Sequence, residues 1–461
     1  MPFVNRREEL AFLRERSGGD RFEFVPIYGR RRVGKTRLVQ EFLRGIPGMY
    51  FMADTVAEQE QLRSIGREVG ERFGDTILFE SGFKDWPQLF RYLEQRVRSR
   101  FVLAIDEFPY LVSANRAISS IFQKAIDTTL AHTPLFLVLT GSSIGMMERE
   151  VLWSGAPLYG RRTGSLEVRE MGFCSLREFF PKARFPALAE IYATAGTMPA
   201  YVERFDPRRP IRSNISGLVL ERGAFLANEP EFLLRQELRE PRDYFVILRS
   251  ISQGKRKISE IINDTGFEKS HLSRYLDTLL SLGLTERETP VTERRPDKSR
   301  NGLHRIKDRF LAFWFKYVLP HRGRLEFGDR ESVLSRIEES WTSHMADAYE
   351  EIARELCRAW AREGRMTFDV IGRWWSRTDE IDLVALDESE RTIHLGECKW
   401  TEDRVGEGVL DELRRKAAHV DWNVGRREER FMLFSRSGFA PSLIRRARRE
   451  GVLLVEGDEP L

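Results

Sequence analysis

The run Gly29-Arg30-Arg31-Arg32-Val33-Gly34-Lys35-Thr36 constrains this chain more than any other feature, because of what flanks it. Residues 24–28 are apolar and read as a short buried strand, and Leu38, Val39, Phe42 and Leu43 then recur at helical spacing. Strand, glycine-bounded loop and helix start form the arrangement that wraps phosphates. The glycines let backbone N–H groups turn inward, and the helix N-terminus adds its positive end. Lys35 neutralises the outer phosphates, and Thr36 offers a hydroxyl to magnesium. A chance glycine turn would lack both flanks. The sequence thus predicts a site for ATP and Mg²⁺ lined by Gly29, Arg30, Arg31, Arg32, Val33, Gly34, Lys35, Thr36 and Arg37.

A site that hydrolyses ATP also needs a carboxylate at the end of a second buried strand. Residues 101–105 are all apolar and lead into Asp106 and Glu107. Asp106 is placed to reach the metal's hydration shell, and Glu107 to polarise the attacking water. Further strands are expected at 48–52, at 135–139 ahead of Thr140-Gly141-Ser142-Ser143, and at 165–168. Ser142 and Ser143 are candidates for sensing the terminal phosphate, although small residues there also form ordinary turns. The predicted architecture is α/β, a five-stranded parallel sheet with helices on both faces.

At 461 residues the chain exceeds one ordinary core. The expected domains are an ATPase core at 1–172, a helical lid at 173–238, a winged helix at 239–320 and an α/β domain at 321–461. No run of about eighteen apolar residues suggests a membrane span. The N-terminus lacks the apolar core of a signal peptide, so the cytoplasm is the expected compartment. Cys174, Cys357 and Cys398 lie far apart, which fits reducing surroundings and argues against a cysteine zinc site. A net charge of +4 says little about nucleic acid by itself.

From Arg242, apolar residues at 245, 248 and 251, then at 258, 261 and 262, a break at Gly266, and a third set at 272, 276 and 279 give a helix-turn-helix. Residues 284–305 read as two short strands and a wing. Lys269, His271 and Arg274 on the third helix and Arg294, Arg295 and Lys298 on the wing are candidates for contacting double-stranded DNA. The same fold also serves as a protein-contact surface.

Near the end, residues 380–386 read as a strand with Ile381, Leu383 and Ala385 on one face and Glu380 and Asp382 on the other. A second strand at 393–400 points Leu395, Glu397 and Lys399 together. If the two strands pair across the turn at 388–391, Asp382, Glu397 and Lys399 meet at one divalent ion, Mg²⁺ or Mn²⁺, as metal-dependent DNA cleavage requires. Charged residues on an open strand face would give similar spacing.

Residues 3–10, the glycine loop, Ile105-Asp106-Glu107, 139–143 and 157–163 together resemble the archaeal-type ATPases, a branch of the AAA-like P-loop ATPases, over about the first 205 residues. The resemblance implies that the segment around Val4 to Arg6 borders the adenine. It also implies that Arg161 and Arg162 approach the nucleotide, from a neighbouring subunit of a homo-oligomer. Both arginines could equally be structural, since adjacent residues cannot point the same way on a strand. Residues 196–201 are similar to the family's Gly-x-Pro-x-Tyr turn, with Ala195 where relatives often carry a second glycine. Residues 304–315 and the pair Trp374-Trp375 resemble members with a C-terminal DUF234 domain. Glu-Ile-Asp at 380–382 followed by Glu-Cys-Lys at 397–399 resembles the PD-(D/E)xK nuclease-like superfamily. That superfamily also takes an acid from the preceding helix, here Glu350 or Glu351, with Glu350 preferred. The resulting expectation is an ATPase coupled to DNA binding or processing, with Lys35 and Glu107 catalytic at one end and Glu350, Asp382, Glu397 and Lys399 at the other. The alternative is an ATP-driven switch or scaffold whose C-terminal domain binds without cleaving.

Overall fold

The structure, a computed structural model, describes residues 3–238 and 240–461. The domain limits expected at Met1 and Arg239 lie outside the described residues. The chain forms two compact units, Met1–Met171 with Met198–Ala200, and Gly172–Thr197 with Tyr201–Leu461. Among the described residues, no helix is long and apolar enough to cross a membrane.

The first unit holds β1 (Glu23–Tyr28), β2 (Gly48–Met52), β3 (Phe101–Asp106), β4 (Leu135–Gly141) and β5 (Leu166–Glu167). They lie in the order β2-β3-β4-β1-β5, and every pairing is parallel. β3 and β4 are buried at every residue, which is why both read as continuous apolar runs. β4 lies between β1 and β3, with Tyr28 opposite Gly141 and Ile105 opposite Leu139. The carboxyl ends of these three strands therefore open on one crevice, where ligands of such sheets bind. β5 is shorter than the expected 165–168, although Val168 still donates its amide to the Tyr28 carbonyl at 2.8 Å.

The second unit contains a helix, called α2 here, at Phe185–Ala195, and a long helix α6 at Trp341–Arg362; α1 is the helix Lys35–Phe42 of the first unit. α2 is buried on almost every side, and Leu188, Ala189 and Tyr192 share one core with Met345, Tyr349 and Ile352 of α6 and with Cys398 and Phe434 of the C-terminal sheet. The region expected as a lid thus contributes directly to the C-terminal core. The helix-turn-helix is formed by α3 (Pro241–Ser252), α4 (Ile258–Thr265) and α5 (Lys269–Ser281). Gly266 ends α4 at φ 73°, a conformation that favours glycine. Strands β6 (Thr285–Glu288) and β7 (Leu303–Ile306) pair antiparallel behind the wing.

The C-terminal sheet has the order β13-β12-β11-β10-β9-β8, from β8 (Val370–Trp375), β9 (Glu380–Asp387), β10 (Thr392–Lys399), β11 (Glu428–Ser435), β12 (Leu453–Glu456) and β13 (Glu459–Pro460). It is mixed, with β10, β11 and β12 parallel to one another and β8 and β9 joined antiparallel. α7 (Glu407–Ala417) and α8 (Pro441–Glu450) cover one face through Leu410, Leu413, Leu443 and Ala447. The wing is attached to this sheet. The Val291 amide donates to the Arg373 carbonyl of edge strand β8 at 2.9 Å.

A seam of charge crosses the second unit. Arg305 of β7 pairs with Glu286, with Glu288 at 3.4 Å and with Glu351 of α6, and Arg309 also pairs with Glu351. These groups are mostly buried, so removing one partner leaves uncompensated charge. Glu351→Ala is expected to destabilise the second unit by about 3–5 kcal/mol, seen as a lower urea midpoint in equilibrium unfolding.

Candidate functional site

The glycine loop closes at the C-terminal edge of the first sheet, and its conformation explains its composition. Gly29 has φ 147°, and a Cβ there would stand 2.2 Å from the Val168 carbonyl oxygen. Gly34, at φ 97°, caps α1. Lys35 is only 4% exposed, and its ammonium donates to the carbonyls of Gly29 at 2.8 Å and Arg30 at 2.9 Å. Among the loop arginines, Arg30 pairs with Glu170 at 2.6 Å and Arg31 donates to the Tyr110 hydroxyl at 3.3 Å. Arg32 takes φ 67°, Val33 is buried, and Arg37 lies on the first turn of α1.

Asp106 is the hub of this edge. Its carboxylate accepts from Thr36 Oγ1 at 2.6 Å, from the Tyr50 hydroxyl at 2.7 Å, from Thr140 Oγ1 and from the Glu107 amide at 2.9 Å. Burial and the bond to Asp106 raise the Tyr50 hydroxyl pKa. Glu107 sits in the left-handed region at φ 54°, and its side chain meets Ser142. Ser142 Oγ donates to it at 2.5 Å and the Ser142 amide at 3.3 Å. Hard oxygens from Thr36 and Asp106, next to a buried ammonium, suit a Mg²⁺–triphosphate pair.

Sequence reasoning missed Tyr50 here, gave Thr140 no role, and took Arg6 only as part of the segment expected beside the adenine. Tyr50 sits on β2 opposite Ala104, so its role needed the strand order. Arg6, at φ 65°, binds the Val33 carbonyl at 3.0 Å and the Arg169 carbonyl at 2.6 Å, which ties the half-buried Val4 segment to the loop. Arg161 is held by Asp127 at 2.9 Å, and Arg162 lies 4.6 Å over the Tyr159 ring.

The C-terminal residues also converge, with one departure from the expected strand geometry. A bulge between Gly372 and Trp374 breaks the β8–β9 register, which pairs Trp374 with Ile381 but Gly372 with Val384. Ile381 therefore packs with Val384 and Leu386 on the α7 face, while Leu383 joins the α6 core, so the expected common face of Ile381, Leu383 and Ala385 is not formed. Asp382, at the bulge, accepts the Cys398 amide of β10 at 2.9 Å. Its carboxyl is pushed up to about 7 by burial first, then by the charges of Glu350 and Glu397. Glu397, 7% exposed, pairs with Lys399 at 2.8 Å and with Lys416 of α7 at 3.1 Å. Burial lowers the Lys399 pKa, but the bond to Glu397 and the neighbouring acids outweigh it and the net shift is upward.

Of the two helix acids, Glu351 is taken by Arg305 and Arg309. Glu350 bears on Asp382; burial raises its own pKa against the pull of Arg373, 3.2 Å away, and Arg354, 3.7 Å away. Among the described residues, no three His, Cys, Asp or Glu side chains are grouped so as to hold an ion. Burial first, then the charges of Glu350 and Glu397, raise Asp382, so carboxyl oxygens of the kind that hard divalent cations take lie near one another here. Lys416 went unnoticed in the sequence because it reaches the site from a helix that carries no motif, and Arg373 because the resemblance on its strand rested on the adjacent Trp374 and Trp375.

Residues 3–205 match an ATPase domain predominantly from Archaea, and residues 314–416 match DUF234, archaeal and bacterial proteins of unknown function. An uncharacterized protein of Methanocaldococcus jannaschii is 35% identical over 422 residues, which cover 91% of this chain and 92% of that protein. The chain belongs to this archaeal ATPase family. Residues 246–286 of this ATPase match a bacterial regulatory protein model of the arsR family, in agreement with the helix-turn-helix. An uncharacterized ATP-binding protein of the same archaeon is 51% identical over 41 residues, 9% of this chain and 70% of its own length. The Walker-type ATPase PABY2304 of Pyrococcus abyssi shares the fold, with a TM-score of 0.51 and 21% identity over 68% of this chain and 96% of its own.

The raised Asp382 pKa has a definite sign in stability. Between about 4 and 7 the folded chain holds a proton at Asp382 that the unfolded chain has released, so this group's contribution to stability falls as pH rises through that window and is constant above it. Asp382→Asn keeps an acceptor for the Cys398 amide. Urea unfolding should show the variant close to wild type at pH 4 and more stable at pH 8.

Proposed function

We propose that this chain binds and hydrolyses ATP and uses the cycle to govern duplex DNA held by its winged helix, with a metal-dependent nuclease centre in the C-terminal domain. The observation that carries the ATPase reading is the 2.6 Å contact of Thr36 with Asp106, beside a glutamate turned toward Ser142. The loop amides of residues 29–36 and the Lys35 ammonium hold the outer phosphates, with Lys35 exchanging its two carbonyl partners for phosphate oxygens. A magnesium ion bound beside Thr36 and Asp106 supplies charge neutralisation on the phosphates. Glu107 orients the attacking water and takes its proton once it leaves Ser142, and Ser142 is then free to sense the terminal phosphate. Val4 borders the base. Arg161 and Arg162 serve a neighbouring copy in a homo-oligomer, for which Arg161 must leave Asp127.

Lys269, His271 and Arg274 are exposed on α5, and Arg294, Arg295 and Lys298 are exposed on the wing, so both elements offer cations to phosphates. At the C-terminal centre, Asp382 and Glu397 hold Mg²⁺ or Mn²⁺ with help from Glu350, and Lys399 stabilises charge on the scissile phosphate. The described cysteines are free thiols, in keeping with the cytoplasm. One observation favours the scaffold reading instead: Glu350 and Glu397 are already neutralised by arginines and lysines of the chain itself.

Glu107→Gln is expected to lower ATP turnover by about 10²–10⁴-fold while leaving ATP binding near wild type, and Lys35→Ala should weaken binding itself. Arg274→Ala should weaken DNA binding and reduce the salt slope of log K by about 1, read in fluorescence titrations. Supercoiled plasmid with Mg²⁺ or Mn²⁺ should be nicked by the wild type and left intact by Lys399→Ala. Loss of nicking in Lys35→Ala would tie cleavage to nucleotide, and an intact plasmid with normal ATP turnover would favour the scaffold.

A further inference from the structure

Lys416 was not anticipated by any motif, yet it is positioned with care. It belongs to the last turn of α7, where Arg415 binds Asp379 at 2.6 Å, and His419, just beyond the helix, binds the same carboxylate at 2.9 Å. Asp379, 5% exposed on its side chain, ends the loop that feeds β9, so this end of α7 is fastened to the strand that carries Asp382. From that fixed position the Lys416 ammonium, 16% exposed on its side chain, lies 3.1 Å from Glu397 Oε1 and 3.3 Å from Oε2, and Lys399 holds Oε1 from the strand side. Two ammoniums thus share one carboxylate at a nearly buried position. A single lysine would suffice to neutralise that carboxylate. A second, half-buried ammonium with lower water access is a costly arrangement unless it has another partner in the working state.

We propose that Lys416 is a second cation of the C-terminal centre, which neutralises Glu397 until a divalent ion claims that carboxylate and then contacts a non-bridging oxygen of the DNA phosphodiester. This inference rests on the nuclease reading above and adds to it a residue and a sequence of charge exchange. Before metal binding, Glu397 is balanced within the chain. When the ion takes Glu397, the ammonium loses its partner beside a site of negative charge, and a phosphate is the ligand whose chemistry replaces a carboxylate for lysine.

The arrangement has an unusual signature. Because Lys416 competes with the ion for Glu397 and yet assists the reaction, Lys416→Met should tighten metal binding and slow cleavage together, which a purely structural lysine would not do. The experiment is Mn²⁺ titration of the full chain by calorimetry without nucleotide, with binding that disappears in Glu397→Gln assigned to this centre. Lys416→Met should bind Mn²⁺ about tenfold more tightly, the order for a half-buried ion pair, and Lys416→Arg should stay close to wild type. Arg415→Met, which disturbs the same turn, should not tighten binding. In plasmid nicking, Lys416→Met should lose about 10²-fold in rate, partly restored by Lys416→Arg. Unchanged Mn²⁺ affinity in Lys416→Met, with binding still abolished by Glu397→Gln, would overturn the proposal and leave the metal site standing. Wild-type protein that binds no Mn²⁺ sensitive to Glu397→Gln would overturn the metal site and the proposal together.

Discussion

The ATPase unit is organised around one buried carboxylate. Asp106 is 1% exposed, and a carboxylate that far from water has to be satisfied by donors. It draws them from α1, from β2, from β4 and from its own successor, which fills the acceptor capacity of its two oxygens. The donors come from separate elements, so this one carboxylate also fixes the spacing between the glycine loop, the strand that leads into Glu107 and the strand that leads into Ser142. The parallel order of β3, β4 and β1 makes this convergence available, because adjacent parallel strands finish at the same edge.

The C-terminal centre is built on the opposite electrostatic principle. Asp382 has one backbone donor and two acidic neighbours, so burial and their charges disfavour its ionised form and it lacks a full complement of hydrogen bonds. The surrounding cations face its neighbours: Arg354 and Arg373 bind Glu350, and Lys399 and Lys416 bind Glu397. One unit thus holds a buried carboxylate met by four donors, and the other a buried carboxyl with one backbone donor beside two further acids.

The glycine loop, the five parallel strands and the helix-turn-helix were legible because each has a strong local signal: a motif with both flanks, fully apolar runs, and helical periodicity ended by Gly266. The pairing of β9 with β10 was legible from the turn between them, with Asp387 opposite Thr392. What the sequence concealed depends on tertiary placement. Strict alternation predicts one common face for Ile381 and Leu383, and a single extra residue at the bulge separates them. Tyr50 and Lys416 have no neighbouring motif, and α2 reads as part of a small lid because nothing in residues 185–195 announces the core it joins. Of the loop arginines, Arg30 and Arg31 have partners outside the loop, which residue type alone does not disclose.

The attachment of Val291 to Arg373 has a consequence for the molecule's solution behaviour. β8 is the outermost strand of its sheet, and an outermost strand offers backbone groups that another chain can pair with. The wing occupies part of that edge from within the same chain. The element that carries Arg294, Arg295 and Lys298 therefore also acts as a guard against edge-to-edge polymerisation, and changes that pull the wing away from the sheet carry a cost in solubility.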